Sequence, residues 1–254
     1  MPSNTSSLKA LYLQRSKHAN YQLVHPMVAQ LLGDTSDLPA GKLEAERQAY
    51  FDRALPLLGA SVLDIGSNTG YFSFGALHGG AQHVTCFEGN QEHAAFVAHC
   101  AEQAGVADRL TMNACYFDFL APIEQTFDVT FCLNVLHHLG DDFGDRSISM
   151  EAAREQMLKG LRHMAGMTRW LVLQLGFNWK GDVACPLFEG GEKAALIDFV
   201  AQGEGDSWTI EEVTVPNPVS RVYEPISEDN LPRNNAIGEF MNRPLFKLRS
   251  RLLA

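Results

Sequence analysis

The sequence predicts an α/β protein built on a doubly wound, mostly parallel sheet. Short apolar runs opening at Ser61, His83, Arg109, Thr126 and Trp170 read as buried parallel strands. Helical patterns alternate with them: one begins near Tyr71, Ala94 to Ala104 stops at Gly105, and Ser149 to Leu161 forms a long third. With 254 residues and 46% hydrophobic content the chain can bury one large core, so a single α/β domain with flanking elements is expected.

The N-terminal region reads as a helical extension, residues 1–50, that covers the cleft of the domain spanning 51–254. Residues 1–7 read as disordered. Leu8, Leu11, Tyr12 and Arg15 have helical spacing, and Val24, Val28, Leu31 and Leu32 form a second apolar face that His25-Pro26 interrupts and Gly33 stops. Gly41 to Phe51 reads as the helix that leads into the first strand. Beyond the fifth strand the pattern is less regular. Trp208 to Val215 alternates as a strand, and Pro244 to Arg249 is the candidate last strand. Between them, an insertion near 216–242 carries prolines, paired asparagines and charges, and reads as an ordered loop with short helices. Ser220 to Ile226 could also pair with the preceding strand as a hairpin.

The chemistry concentrates in Ser61-Val62-Leu63-Asp64-Ile65-Gly66-Ser67-Asn68-Thr69-Gly70-Tyr71-Phe72. A strand that ends in an acid and opens into a glycine turn before a helix lets the backbone approach a nucleotide closely. The dinucleotide fingerprint needs glycine where Asn68 and Tyr71 stand, so a nicotinamide or flavin dinucleotide fits poorly and a ligand without a pyrophosphate fits better. Glu88 ends the second strand at the spacing from which a carboxylate can accept both ribose hydroxyls.

In these residues the chain resembles the class I S-adenosylmethionine-dependent methyltransferases, whose first motif is matched by Asp64, Gly66 and Gly70, with Asn68 departing at its centre. The resemblance covers roughly residues 45–175 and implies a Rossmann-like, seven-stranded sheet with a terminal antiparallel strand between the fifth and sixth. It implies S-adenosyl-L-methionine as cofactor, held by Asp64, Gly66, Ser67, Asn68, Gly70, Tyr71, Glu88 and Gly89. Asn113 and Ala114 would flank the adenine. In Phe127-Asp128-Val129 through Asn134-Val135-Leu136-His137-His138-Leu139, Asn134 would meet the methionine part of the cofactor, with helix capping as the alternative. His137 would then face the acceptor as a base, His138 would pack, and His138 is the second candidate for the base.

For the acceptor, Arg15, Lys17, His18 and Tyr21 form the densest basic and hydrogen-bonding cluster, suited to an anionic group or simply to a solvated helix face. Trp179, after the fifth strand, can stack on a ring or belong to the core. The expected activity is methyl transfer to a small molecule or glycan terminus, at a hydroxyl or at a phosphate or carboxylate oxygen. Two alternatives stand beside it: an enzyme modifying wobble uridine in transfer RNA, and an idle relative that binds the nucleoside and regulates a partner. A formal net charge of -10 argues against a nucleic-acid partner. No apolar run spans a membrane and no signal-peptide core follows the N-terminus, so a cytoplasmic location is expected. Five cysteines without a C-x-x-C pair indicate reduced thiols and no metal site, with Cys86, Cys115 and Cys132 in the core.

Overall fold

A computed structural model describes residues 4–13, 22–36, 38 and 41–253. The chain divides into two compact units, Met1–Phe117 and Asp118–Ala254. The first holds α1 (Asn4–Leu13), α2 (Pro26–Ala29), α3 (Glu44–Ala54), β1 (Ser61–Ile65), α4 (Tyr71–His78), β2 (His83–Phe87), α5 (Gln91–Gln103) and β3 (Leu110–Asn113). The second holds β4 (Phe127–Leu133), α6 (Met150–Met164), β5 (Thr168–Gln174), α7 (Lys193–Glu204), β6 (Trp208–Pro216), β7 (Tyr223–Pro225), α8 (Glu239–Asn242) and β8 (Leu245–Ser250). The fold is α/β, as the alternation predicts, with eight strands among the described residues where seven are expected.

In the first unit β1, β2 and β3 pair in parallel, and the register sets Ile65, Phe87 and Asn113 in one row. Their carboxyl ends are therefore level. The turn after β1, Glu88 after β2 and Ala114 after β3 emerge together, which a parallel sheet alone does not guarantee. The N-terminal region differs from the sequence expectation at two points. α1 starts at Asn4, inside the stretch expected to be disordered, and buries Leu8 and Tyr12. Pro26 does not interrupt a helix but opens α2, where its missing N–H costs nothing, while His25 Nδ1 accepts from the Met27 N–H at 3.2 Å as the N-cap.

In the second unit β4 pairs in parallel with β5, and β8 lies antiparallel between β5 and β6, as the resemblance implies. β7 then pairs with β6 as a hairpin arm and supplies the eighth strand. The register again matters for the site: Leu133, Gln174 and Leu245 share one row, so Asn134 and Arg243 emerge beside Gln174. Helix α7 was not expected, yet Leu196, Phe199, Val200 and Gly203 recur at helical spacing and are buried. Ser149 caps α6 by accepting from the Ala152 N–H. All five cysteines are free; Cys86 and Cys132 are in the core, but Cys115 lies just past β3 and is exposed.

Candidate functional site

The turn after β1 is shaped by backbone that glycine tolerates. Gly66 (φ 69°) and Gly70 (φ 79°) are left-handed, and a Cβ on Gly70 would stand 2.9 Å from Val97 Cγ2. Asn68 also has positive φ, 51°, a conformation that asparagine adopts more readily than most residues. This is why asparagine can replace the central glycine there. The Gly66 and Ser67 N–H groups both donate to the Phe87 carbonyl, at 2.8 and 3.1 Å, and tie the turn to the end of β2.

Glu88 is the hub of this end of the sheet. One carboxylate oxygen accepts from the Asn68 N–H at 2.7 Å and the other from the Asn90 N–H at 2.8 Å. A carboxylate offers about four lone-pair positions and can accept from hydroxyl as well as N–H donors. Asn90 itself caps α5 by accepting from the Glu92 and His93 N–H groups. Gly89 carries no side chain because the Tyr116 ring occupies that space: a Cβ would lie 2.1 Å from it. Asn113 donates from Nδ2 to the Cys86 carbonyl at 3.1 Å, and the Ala114 carbonyl accepts from Gln91. Tyr116, exposed and lying against Gly89, is a site-lining residue that the sequence did not single out.

Asp64 is fully buried and accepts from Ser73 Oγ at 2.6 Å, so it braces β1 against α4. Burial pushes its carboxyl up to about 7, and nearby Glu88 adds to the rise, while the Ser73 hydrogen bonds oppose it. Tyr71 is also buried, its ring edge-on to His25 at 5.1 Å. The first N–H of α4 is not free for a ligand. It donates to Gln22 Oε1 at 2.9 Å, a contact across 49 positions of sequence.

One observation bears on whether these residues take a polar ligand. Ser67 is 1% exposed, and its hydroxyl has no hydrogen-bond partner among the described residues. Buried polar groups are seldom left so, and a bound ligand is one explanation for an orphan.

In the second unit, Asn134 is left-handed (φ 61°) and nearly buried. Its Nδ2 donates to Gln174 Oε1 at 3.1 Å, and its Oδ1 accepts from Arg243 Nη1 at 2.8 Å. Arg243 is paired with Glu239 and lies over the Phe240 ring at 4.2 Å. The Asn134 side chain does not cap the turn Leu136–His138 that follows it.

The two adjacent histidines, expected as acceptor-facing His137 and packing His138, have different surroundings. His137 is 2% exposed, accepts at Nδ1 from the Gly176 N–H at 3.2 Å and packs so close to Gly176 that a Cβ there would lie 2.6 Å from its Nε2. His138 is the partly exposed one, with Nδ1 3.4 Å from Asp142. The ligand atoms of His138, Asp141 and Asp142 lie within 4.8 Å of one another, a grouping the sequence did not suggest. Trp179 donates from Nε1 to the Leu139 carbonyl at 2.8 Å and carries Lys180 Nζ over its ring, so it braces this turn. Arg15, Lys17, His18 and Tyr21 lie outside the described residues.

Residues 62–155 match the family described as methyltransferase domain. No curated protein matches the sequence. Among solved structures, the bifunctional kinase-methyltransferase WbdD is similar over 95% of this chain and 46% of its own, at 17% identity and a TM-score of 0.57. A second WbdD structure gives the same coverage at 18% identity and a TM-score of 0.54. The chain thus spans about half the length of that protein, and the likeness is one of fold. Residues 62–155 thus match a methyltransferase domain, and the chain shares its fold with a protein described as a bifunctional kinase-methyltransferase.

Proposed function

We propose that this chain moves a methyl group from S-adenosylmethionine to an oxygen of a small molecule or glycan terminus. The observation that carries the cofactor half of the reading is Glu88, whose two oxygens are aimed by backbone N–H groups from the turns after β1 and β2. A carboxylate fixed in this way is prepared for the ribose diol at no further ordering cost. Gly66, Ser67, Asn68 and Gly70 supply close backbone, and Asn113, Ala114 and Gly89 supply the adenine side.

The bound sulfonium contributes an already activated methyl group. The protein's share is to hold the acceptor oxygen in line at near-attack distance and to exclude water, which can account for much of the acceleration. A hydroxyl acceptor must also lose its proton. Of the two adjacent histidines, His138 has the surroundings of a base: a partly exposed ring with a carboxylate neighbour. His137 serves packing instead, and its Nδ1 already holds the Gly176 N–H. The net charge of -10 supports a small or glycan acceptor over RNA.

The test is transfer of isotope-labelled methyl from S-adenosylmethionine to separated metabolite, glycan and RNA fractions, read by mass spectrometry. Label in an oxygen-linked methyl of a metabolite or glycan is expected. Label confined to RNA, or incorporation in no fraction, would overturn the acceptor class.

A further inference from the structure

The backbone N–H groups of the turn after β1, residues 66–71, are all paired within the first unit. Gly66 and Ser67 donate to the Phe87 carbonyl, Asn68 donates to Glu88, Thr69 donates to the Asn68 side-chain oxygen at 2.9 Å, and Gly70 donates to the Ser67 carbonyl at 2.8 Å. These acceptors lie in the turn itself or at the end of β2. The last N–H, that of Tyr71, depends on a distant residue instead. It donates to Gln22 Oε1 at 2.9 Å, and the same oxygen accepts from Thr69 Oγ1 at 3.3 Å.

The N-terminal region holds Gln22 at this place. The Tyr12 hydroxyl donates to the Gln22 carbonyl at 2.6 Å, and the buried Tyr12 ring lies against Phe96 of α5 at 5.6 Å. Three residues further on, His25 caps α2 and sets its ring edge-on to Tyr71. Gln22 is itself buried, so water does not readily replace its oxygen once that oxygen is removed.

We propose that Gln22 is a positioning residue for the cofactor turn, closing the far end of residues 66–71 before any ligand arrives. This inference rests on the cofactor reading above and deepens it: the N-terminal region contributes to affinity without touching the ligand. Glu88 and the Phe87 carbonyl fix the near end of the turn whether or not Gln22 is present. Without the Gln22 oxygen, Thr69 to Tyr71 lose their anchor, and binding must order that backbone at the expense of affinity.

Calorimetric titration with S-adenosylhomocysteine and amide hydrogen exchange of the unliganded full chain test this together. Gln22→Met keeps the side-chain length and the carbonyl that Tyr12 holds but removes the acceptor oxygen. It should weaken S-adenosylhomocysteine roughly five- to thirtyfold, the cost of ordering about one backbone residue, and speed exchange of the Tyr71 amide by about tenfold or more. Gln22→Glu restores an acceptor beside the positive end of α4 and should return both readouts to within about threefold of the unsubstituted chain. Thr69→Val should weaken binding about two- to fourfold alone and add nothing in the Gln22→Met background, because the shared oxygen is already gone. A merely structural role would lower the Tm of Gln22→Met while leaving Kd and Tyr71 exchange unchanged. That result, or a Gln22→Glu chain no better than Gln22→Met, would overturn the inference. Failure of the unsubstituted chain to bind S-adenosylhomocysteine would overturn the cofactor reading, whereas fast Tyr71 exchange in that chain would overturn the role of Gln22.

Discussion

Glu88→Gln is the perturbation whose outcome the structure constrains most tightly. The change preserves size but removes the charge, and it replaces one oxygen by an NH₂ group opposite a backbone donor. The wild-type carboxylate accepts from Asn68 at 2.7 Å and from Asn90 at 2.8 Å, so an amide can keep only one of these bonds. A hydrogen bond to a charged group contributes about 1.5–3 kcal/mol. Losing one such bond's worth toward the ribose weakens S-adenosylhomocysteine by roughly ten- to a hundredfold. One backbone N–H is also left without its acceptor, at a cost of about 1–3 kcal/mol to stability. For a chain of this size that lowers Tm by about 2–4 °C per kcal/mol. Calorimetric titration and thermal unfolding of the same preparation read the two effects separately. A folded Glu88→Gln protein with an unchanged Kd would refute the reasoning, because the carboxylate would then orient the turn without touching the ligand.

Three further outcomes follow from the same geometry. Burial raises the Asp64 carboxyl to about 7 from its ordinary 3.8, so its stabilising contribution is complete below the unfolded value and is lost as pH rises toward 7. Denaturant midpoints measured from pH 4 to 8 should therefore fall more with rising pH in the wild type than in Asp64→Asn, and parallel profiles would contradict this. Gly70→Ala places a side chain at φ 79° and 2.9 Å from Val97 Cγ2, and should cost about 1–2 kcal/mol in urea unfolding, whereas wild-type stability would show that the turn relaxes freely. With an acceptor identified by labelled transfer, His138→Ala should lower the turnover of a hydroxyl substrate by about 10²–10⁴ at unchanged S-adenosylhomocysteine affinity. His137→Ala should mainly lower stability, and the opposite pattern would return the base to His137.

What was legible in the sequence is the chemistry that a local segment encodes. Left-handed backbone at Gly66 and Gly70 and an acid just past β2 are each written in a short local segment, and the parallel register brings the two segments to one level. Gln22 is not written that way, because its role depends on the chain returning across 49 positions to cap α4. The two histidines show a different limit: adjacent residues on a short turn carry no periodicity, and only the approach of Gly176 decides that His137 is the buried one. The coupling of Asn134 to Arg243 spans 109 positions and depends on β8 running beside β5. Helix α7 was readable at Leu196, Phe199, Val200 and Gly203, but glycines on both sides mask its ends. Cys115 was expected in the core because β3 appears longer in sequence than its four paired residues.

The most direct test of the central claim is a calorimetric titration of the purified chain with S-adenosylhomocysteine and, separately, with NAD. The turn lacks the third glycine of a dinucleotide loop, and Tyr71 in its place packs against His25. One equivalent of S-adenosylhomocysteine should bind and NAD should give no heat of binding. Saturable binding of NAD, with no response to S-adenosylhomocysteine, would contradict the account.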